Sequence, residues 1–142
     1  MNIFVTGGTG FIGSNLIHRL VADGHYIFVP VRKQSRKEWL PSSNIETIET
    51  DLSEPGAIKS LLKRVDVVFH LASIRGSGWA YSERQMLDTN IKITENLPKA
   101  SAGVIKHFIY ISSVSVHGHL SGQTADENYP YNPVTKYGMT KC

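Results

Sequence analysis

Tyr137 and Lys141 stand four positions apart in Tyr137-Gly138-Met139-Thr140-Lys141. On a helix, residues i and i+4 share a face, with Cβ atoms about 5–6 Å apart. An ammonium at that distance favours phenolate and lowers the tyrosine pKa from its reference of about 10. A tyrosine tuned in this way can exchange a proton with a substrate hydroxyl or carbonyl near neutral pH. Such pairs arise by chance in many chains, so the spacing gains weight only from its company. Upstream, Ser112-Ser113 closes an apolar run, and a serine at the C-terminal edge of a strand can hydrogen-bond the same substrate oxygen.

A second pattern sits at the other end of the chain. Gly7, Gly10 and Gly13 form G-x-x-G-x-x-G between the apolar run Ile3-Phe4-Val5 and an apolar helical pattern. At a strand-to-helix turn the first glycine allows a tight turn and the second lets a pyrophosphate approach the backbone. The third lets the helix pack closely. The helix N-terminus adds free N–H groups and a partial positive charge for phosphates. The strand before it and the amphipathic helix after it are the context a dinucleotide-binding loop requires.

The next strand bears on which dinucleotide. NAD binders carry an Asp or Glu about 20 residues beyond the glycines to hold the adenosine ribose. Here Val31 fills that place, followed by Arg32 and Lys33, with Ser35 and Arg36 close behind. An acidic side chain repels a 2′-phosphate, whereas an arginine fork can hold one. This segment favours NADP, with NAD as the alternative.

Other chemistries find less support. The charge of +3, from 15 basic and 12 acidic residues, is mild, and the basic residues are scattered apart from Arg32–Lys37; this argues against a nucleic-acid partner. His18, His25, His70 and His107 fall on different elements, and His117-Gly118-His119 is too tight a spacing for two metal ligands on one helix face; no metal is expected. Without a G-x-S-x-G elbow, Ser113 is not read as a hydrolase nucleophile. Trp39 and Trp79 read as packing or loop residues, Trp79 with a minor prospect of facing substrate. The single cysteine, Cys142, excludes an internal disulfide, and nothing resembles a secretory leader or a membrane span; together these point to the cytoplasm.

These groups need a scaffold that presents strand ends and helix starts on one edge. Strands are expected at Asn2–Thr6, Tyr26–Val31, Ile45–Thr50, Asp66–Leu71 and His107–Ser112, apolar at nearly every position as strands covered on both faces should be. Helices are expected at Phe11–Ala22, at Pro55–Val65, and at Ser82–Ala102, where Pro98 should kink or end the helix. Alternating strands and helices imply a single Rossmann-like, doubly wound parallel sheet of about five strands over 1–142, with right-handed crossovers.

Taken together, these residues resemble the short-chain dehydrogenase/reductase superfamily, in particular its extended branch of NAD(P)-dependent epimerases, dehydratases and reductases. Thr6-Gly7-Gly8-Thr9-Gly10-Phe11-Ile12-Gly13 looks like that branch's cofactor loop, and Asp51-Leu52 is similar to its adenine-contacting pair. Phe69-His70-Leu71-Ala72-Ser73 matches the strand end that lines the cofactor, which implicates Leu71, Ala72 and Ser73. Thr89-Asn90-Ile91 matches the helix that carries a structural or proton-relay asparagine. The resemblance makes Ser113 the catalytic serine, Tyr137 the acid/base, and Lys141 the ribose-binding partner that lowers the tyrosine pKa. It implies hydride transfer at a carbinol or carbonyl of a nucleotide sugar or carbonyl compound, and a homodimer paired through two helices.

There are departures. His117 stands where the family usually has tyrosine, and Pro98 interrupts a helix that normally continues. Members of this branch run about twice as far, adding further strands and a smaller substrate domain, so the chain reads as a fragment that stops at the start of its catalytic helix. The rival reading is a dinucleotide-binding sensor without turnover, which the Tyr/Lys pair counts against.

Overall fold

The computed structural model describes residues 1–54, 56, 58–75 and 81–142. Five parallel strands, β1 (Asn2–Thr6), β2 (Tyr26–Val31), β3 (Ile45–Glu49), β4 (Val67–His70) and β5 (His107–Tyr110), form one sheet in the order β3-β2-β1-β4-β5. The chain winds outward from β1 to β3, then returns to the other side of β1 with β4. The strand order therefore reverses between β1 and β4, a switch point that opens a crevice at the C-terminal ends of the strands.

Strand alternation sorts the apolar side chains into two cores. Ile3, Val5, Ile27, Val29 and Val31 face α1 (Phe11–Ala22), where Ile17 is fully buried. Phe4, Phe28 and Val68 face the other way, against Leu62 of α2 (Lys59–Leu62) and Ile93 and Leu97 of α3 (Glu83–Ser101). Helices thus cover both faces, and the sheet is doubly wound. A 3-10 turn (Val114–His117) and a short α4 (Lys136–Met139) follow β5. Among the described residues no helix is long and apolar enough to cross a membrane.

Four expectations need correction. Burial on both faces holds for β1, β2 and most of β4 but not for β3 or β5, which are the sheet edges. In β3 the sequence Ile-Glu-Thr-Ile-Glu leaves Thr47 and Glu49 exposed, as an edge strand should. α2 spans only Lys59–Leu62, shorter than the expected Pro55–Val65, and Pro55 lies outside the described residues. Pro98 does not end α3, which runs three residues further to Ser101; Pro98 is on the exposed face, and the Ala102 N–H closes the last turn on its carbonyl at 3.0 Å. Finally, Phe11 and Ile12 are not part of the buried stripe of α1. They are 76% and 64% exposed, while Gly13 and Ser14 beside them are buried. The reading of Trp79 lies outside the described residues.

Candidate functional site

The loop between β1 and α1 is built around backbone contacts. Gly7 has φ +71°, and a Cβ there would sit 2.8 Å from the Ala72 amide nitrogen and 2.9 Å from the Leu71 carbonyl carbon. Both the dihedral and the close approach require glycine. A Cβ at Gly13 would strike the Gly7 carbonyl, so at this position the helix is pressed against the backbone of its own loop. Gly10 is different. Its only close neighbour would be Gly7 O at 3.3 Å, and it lines an open cleft.

The two long helices start differently. α3 has a full capping box in which Ser82 and Gln85 satisfy each other's backbone N–H groups. α1 has Gly10 at its N-cap, no side-chain cap and no acid in its first turn. Its first N–H groups therefore lack intrahelical and side-chain acceptors, and the helix start carries partial positive charge.

That helix start borders a cleft of about 380 Å³ along the C-terminal ends of β1 to β4. Gly7, Gly10, Arg32, Asp51, Leu52, Leu71, Ala72, Ser73 and Asn90 all line it. The described lining omits Phe11, Ile12, Gly13 and Lys33. The Asp51 carboxylate accepts from the Ser53 N–H at 2.9 Å and the Ser53 hydroxyl at 2.7 Å, and these bonds hold its pKa below the usual carboxylate range, with Arg32 and Lys92 adding to the effect. Ser73 leaves a buried side-chain oxygen without a hydrogen-bond partner among the described residues. Such a leftover group at a cleft wall, together with bare main chain at the helix start, fits a bound molecule rich in phosphate and hydroxyl groups.

Thr6 organises the back wall, a role that the motif containing it did not reveal. Its Oγ1 accepts from the Leu71 N–H at 3.2 Å and the Ala72 N–H at 3.0 Å. With both lone pairs used, its own proton goes to Nδ1 of His70, 2.7 Å away. His70 is thereby the Nε2–H tautomer and donates to Thr94 Oγ1 at 3.3 Å. Burial, helped by the nearby Lys141 cation, lowers the His70 pKa to about 4. The register explains the grouping: Thr6 pairs with His70 and His70 with Tyr110, so the three form a row across β1, β4 and β5. The His70 and Tyr110 rings stack at 5.4 Å, and Lys141 Nζ lies 4.6 Å from the Tyr110 ring centre.

The remaining candidate residues gather beyond β5. Ser113 caps the 3-10 turn, its Oγ accepting from the Ser115 N–H at 3.2 Å. A Cβ on Gly138 would meet the Ser115 carbonyl at 2.5 Å, so α4 packs directly on that turn. Lys141 is buried past the end of α4; Nζ donates to the Ile111 carbonyl at 2.8 Å, and burial lowers its pKa. Asn90 bridges the two regions. Its amide exchanges hydrogen bonds with the Ile74 backbone at 2.8 and 3.0 Å and donates to Thr140 Oγ1 at 3.2 Å. Ser113, Tyr137 and Lys141 lie outside the described lining of the cleft, and Asn90 is the side chain that ties their segment to its wall. Among the described residues no three His, Cys, Asp or Glu side chains gather as metal ligands.

A family model described as the NAD dependent epimerase/dehydratase family matches residues 3–142. Among curated relatives, the chain is 32% identical to an uncharacterized UDP-glucose epimerase of Bacillus subtilis, YtcB, over 99% of this chain and 48% of that protein. It is 35% identical to a putative dihydroflavonol 4-reductase of Synechocystis, over 94% of this chain and 38% of that protein. Among solved structures, MoeE5 in complex with UDP-glucose and NAD superposes with a TM-score of 0.83 at 29% identity, covering 99% of this chain and 46% of that one. The chain therefore spans between about a third and a half of the length of the curated relatives it matches.

Proposed function

Because the chain belongs to the NAD dependent epimerase/dehydratase family, we propose that the whole protein is an NAD(P)-dependent oxidoreductase, epimerase or dehydratase of the extended short-chain dehydrogenase type. Its substrate is a nucleotide sugar or another compound with a carbinol or carbonyl carbon. One observation carries this reading: Asn90 lines the glycine-built cleft and also holds Thr140, which brings the Tyr137–Lys141 segment to the wall where a dinucleotide would lie.

The dinucleotide, when bound, supplies the hydride donor or acceptor. Gly7, Gly10 and the uncapped start of α1 hold its phosphates through main-chain N–H groups. Asp51 and Leu52 meet the adenine, and Leu71, Ala72 and Ser73 line the path between them. The lack of an acid at the end of β2, where Val31 stands with Arg32 next to it, favours NADP, even though MoeE5 is in complex with NAD. Tyr137 gives or takes the proton at its phenolic oxygen. Ser113 accepts from Ser115 N–H and so keeps its own hydroxyl proton to donate to the substrate oxygen. Lys141 uses one of its three N–H donors on Ile111, leaving two for a ribose.

Hydride transfer by the full-length protein tests the scheme. Tyr137→Phe is expected to lower kcat by about a hundredfold or more with little change in cofactor affinity. Equal rates in the two proteins would remove Tyr137 from the mechanism.

A further inference from the structure

Arg32 leaves β2 at the rim of the cleft, hydrogen-bonded at its main chain and again at the tip of its side chain. At the main chain, its N–H donates to Ser35 Oγ at 2.9 Å, and the Ser35 N–H returns a bond to the Arg32 carbonyl at 2.9 Å. At the tip, Nη1 donates to the Tyr81 hydroxyl at 2.6 Å, and the guanidinium carbon lies 5.6 Å from the Tyr81 ring centre. Arg32, Ser35 and Tyr81 all line the cleft.

Guanidinium carries five N–H donors in a planar fork, and Tyr81 takes one from Nη1. The edge formed by Nε and Nη2 has no partner among the described residues, and it can make two parallel bonds to a phosphate. The Ser35 hydroxyl, which accepts from Arg32, still has its own proton to donate to the same group. Asp51 stands on the same wall and offsets part of the positive field of Arg32. With that field reduced, aim counts for more than charge.

We propose that Tyr81 is a positioning residue that sets cofactor specificity: it preorients Arg32 so that the cleft selects an adenosine bearing a 2′-phosphate. The proposal rests on the reading of the cleft as a dinucleotide site. Holding one arginine rotamer in advance spares its ordering on binding, which amounts to roughly two- to tenfold in affinity. The gain applies only to the ligand that uses the guanidinium fork.

Calorimetry on the full-length protein with 2′,5′-ADP and 5′-ADP separates the possibilities. Tyr81→Phe removes only the hydroxyl. It should weaken 2′,5′-ADP by roughly two- to tenfold and leave 5′-ADP within about twofold, the second probe reporting an intact cleft. Arg32→Ala should abolish the preference altogether. If Tyr81→Phe binds 2′,5′-ADP like wild type while Arg32→Ala loses the preference, Tyr81 has no such role and the reading of Arg32 stands. If Tyr81→Phe weakens both probes equally, Tyr81 is a wall of the cleft, and the proposal fails. If the wild type binds neither probe or prefers 5′-ADP, the cofactor reading itself fails and takes the proposal with it.

Discussion

Gly7 and Gly10 are three residues apart in one loop, yet they answer to different demands. Gly7 is held by the fold, since its positive φ and the main chain of Leu71 and Ala72 leave no room for a methyl group. Gly7→Ala should cost about 1–3 kcal/mol from the dihedral alone, and the collision adds to it. Gly10 has only Gly7 O nearby, so Gly10→Ala should cost about 1 kcal/mol or less in stability. Its methyl group would stand where the phosphates are proposed to approach, and NADP affinity should then fall on the order of tenfold. Urea melts and calorimetry on the two variants check the contrast. A Gly10→Ala protein that binds normally would show that the phosphates do not lie there. The G-x-x-G-x-x-G spacing was enough to pick out this loop and to give Gly7 the tight turn, but not to show that the main chain of Leu71 and Ala72 also excludes a side chain there, because that contact comes from another strand end. Gly8 escaped notice for the same reason: its absent Cβ makes room for Ile17 and Val29.

Between elements, the row Thr6, His70, Tyr110 ties β1, β4 and β5 together next to the cleft. His70 is fully buried and neutral, with both ring nitrogens committed. The consequence for pH follows from its pKa. The folded value of about 4 lies below the ordinary 6.5, so between these values the unfolded chain binds the proton and the folded one does not. His70 therefore adds stability that is complete above pH 6.5 and is lost as pH falls toward 4. At 1.36 kcal/mol per unit, its share of the loss is about 2 kcal/mol by pH 5. Urea melts at pH 7 and pH 5 should show wild type losing about that much more than His70→Gln, which is less stable at pH 7 because the Thr6 and Thr94 bonds are disturbed. Equal losses would mean that His70 protonates freely in the fold. The strands that carry this row were readable from their apolar runs to within two residues, even for β5 at the sheet edge. The row itself was not, because Thr6 and His70 are 64 residues apart and only the β1–β4 register makes them neighbours. α2 was overread for a related reason: Ile58, Leu61, Leu62 and Val65 mark the apolar face that packs on Phe4, but the helix needs only one turn to deliver it.

Over the whole molecule, the groups proposed to hold the adenosine and pyrophosphate and those proposed for the chemistry fall in separate segments. The groups proposed for the adenosine and pyrophosphate come from the ends of β1 to β4, whereas Ser113, Tyr137 and Lys141 come from beyond β5, joined to the cleft through Asn90. Such a division predicts that ligand-linked stability and turnover can be lost independently. A ligand at 100 times its Kd raises unfolding free energy by about 2.7 kcal/mol if only the folded state binds it. NADP at that excess should stabilise wild type and Tyr137→Phe alike, because the tyrosine lies outside the described lining of the cleft. Arg32→Ala should lose most of the stabilisation by NADP at the same concentration and keep that by NAD, since its fork serves only the 2′-phosphate. Its turnover with saturating NAD should match that of wild type. Thermal melts with each nucleotide, set beside turnover rates of the full-length protein, give the four comparisons. If Tyr137→Phe loses the NADP stabilisation along with its turnover, the two segments form one site, and the division drawn through Asn90 is wrong.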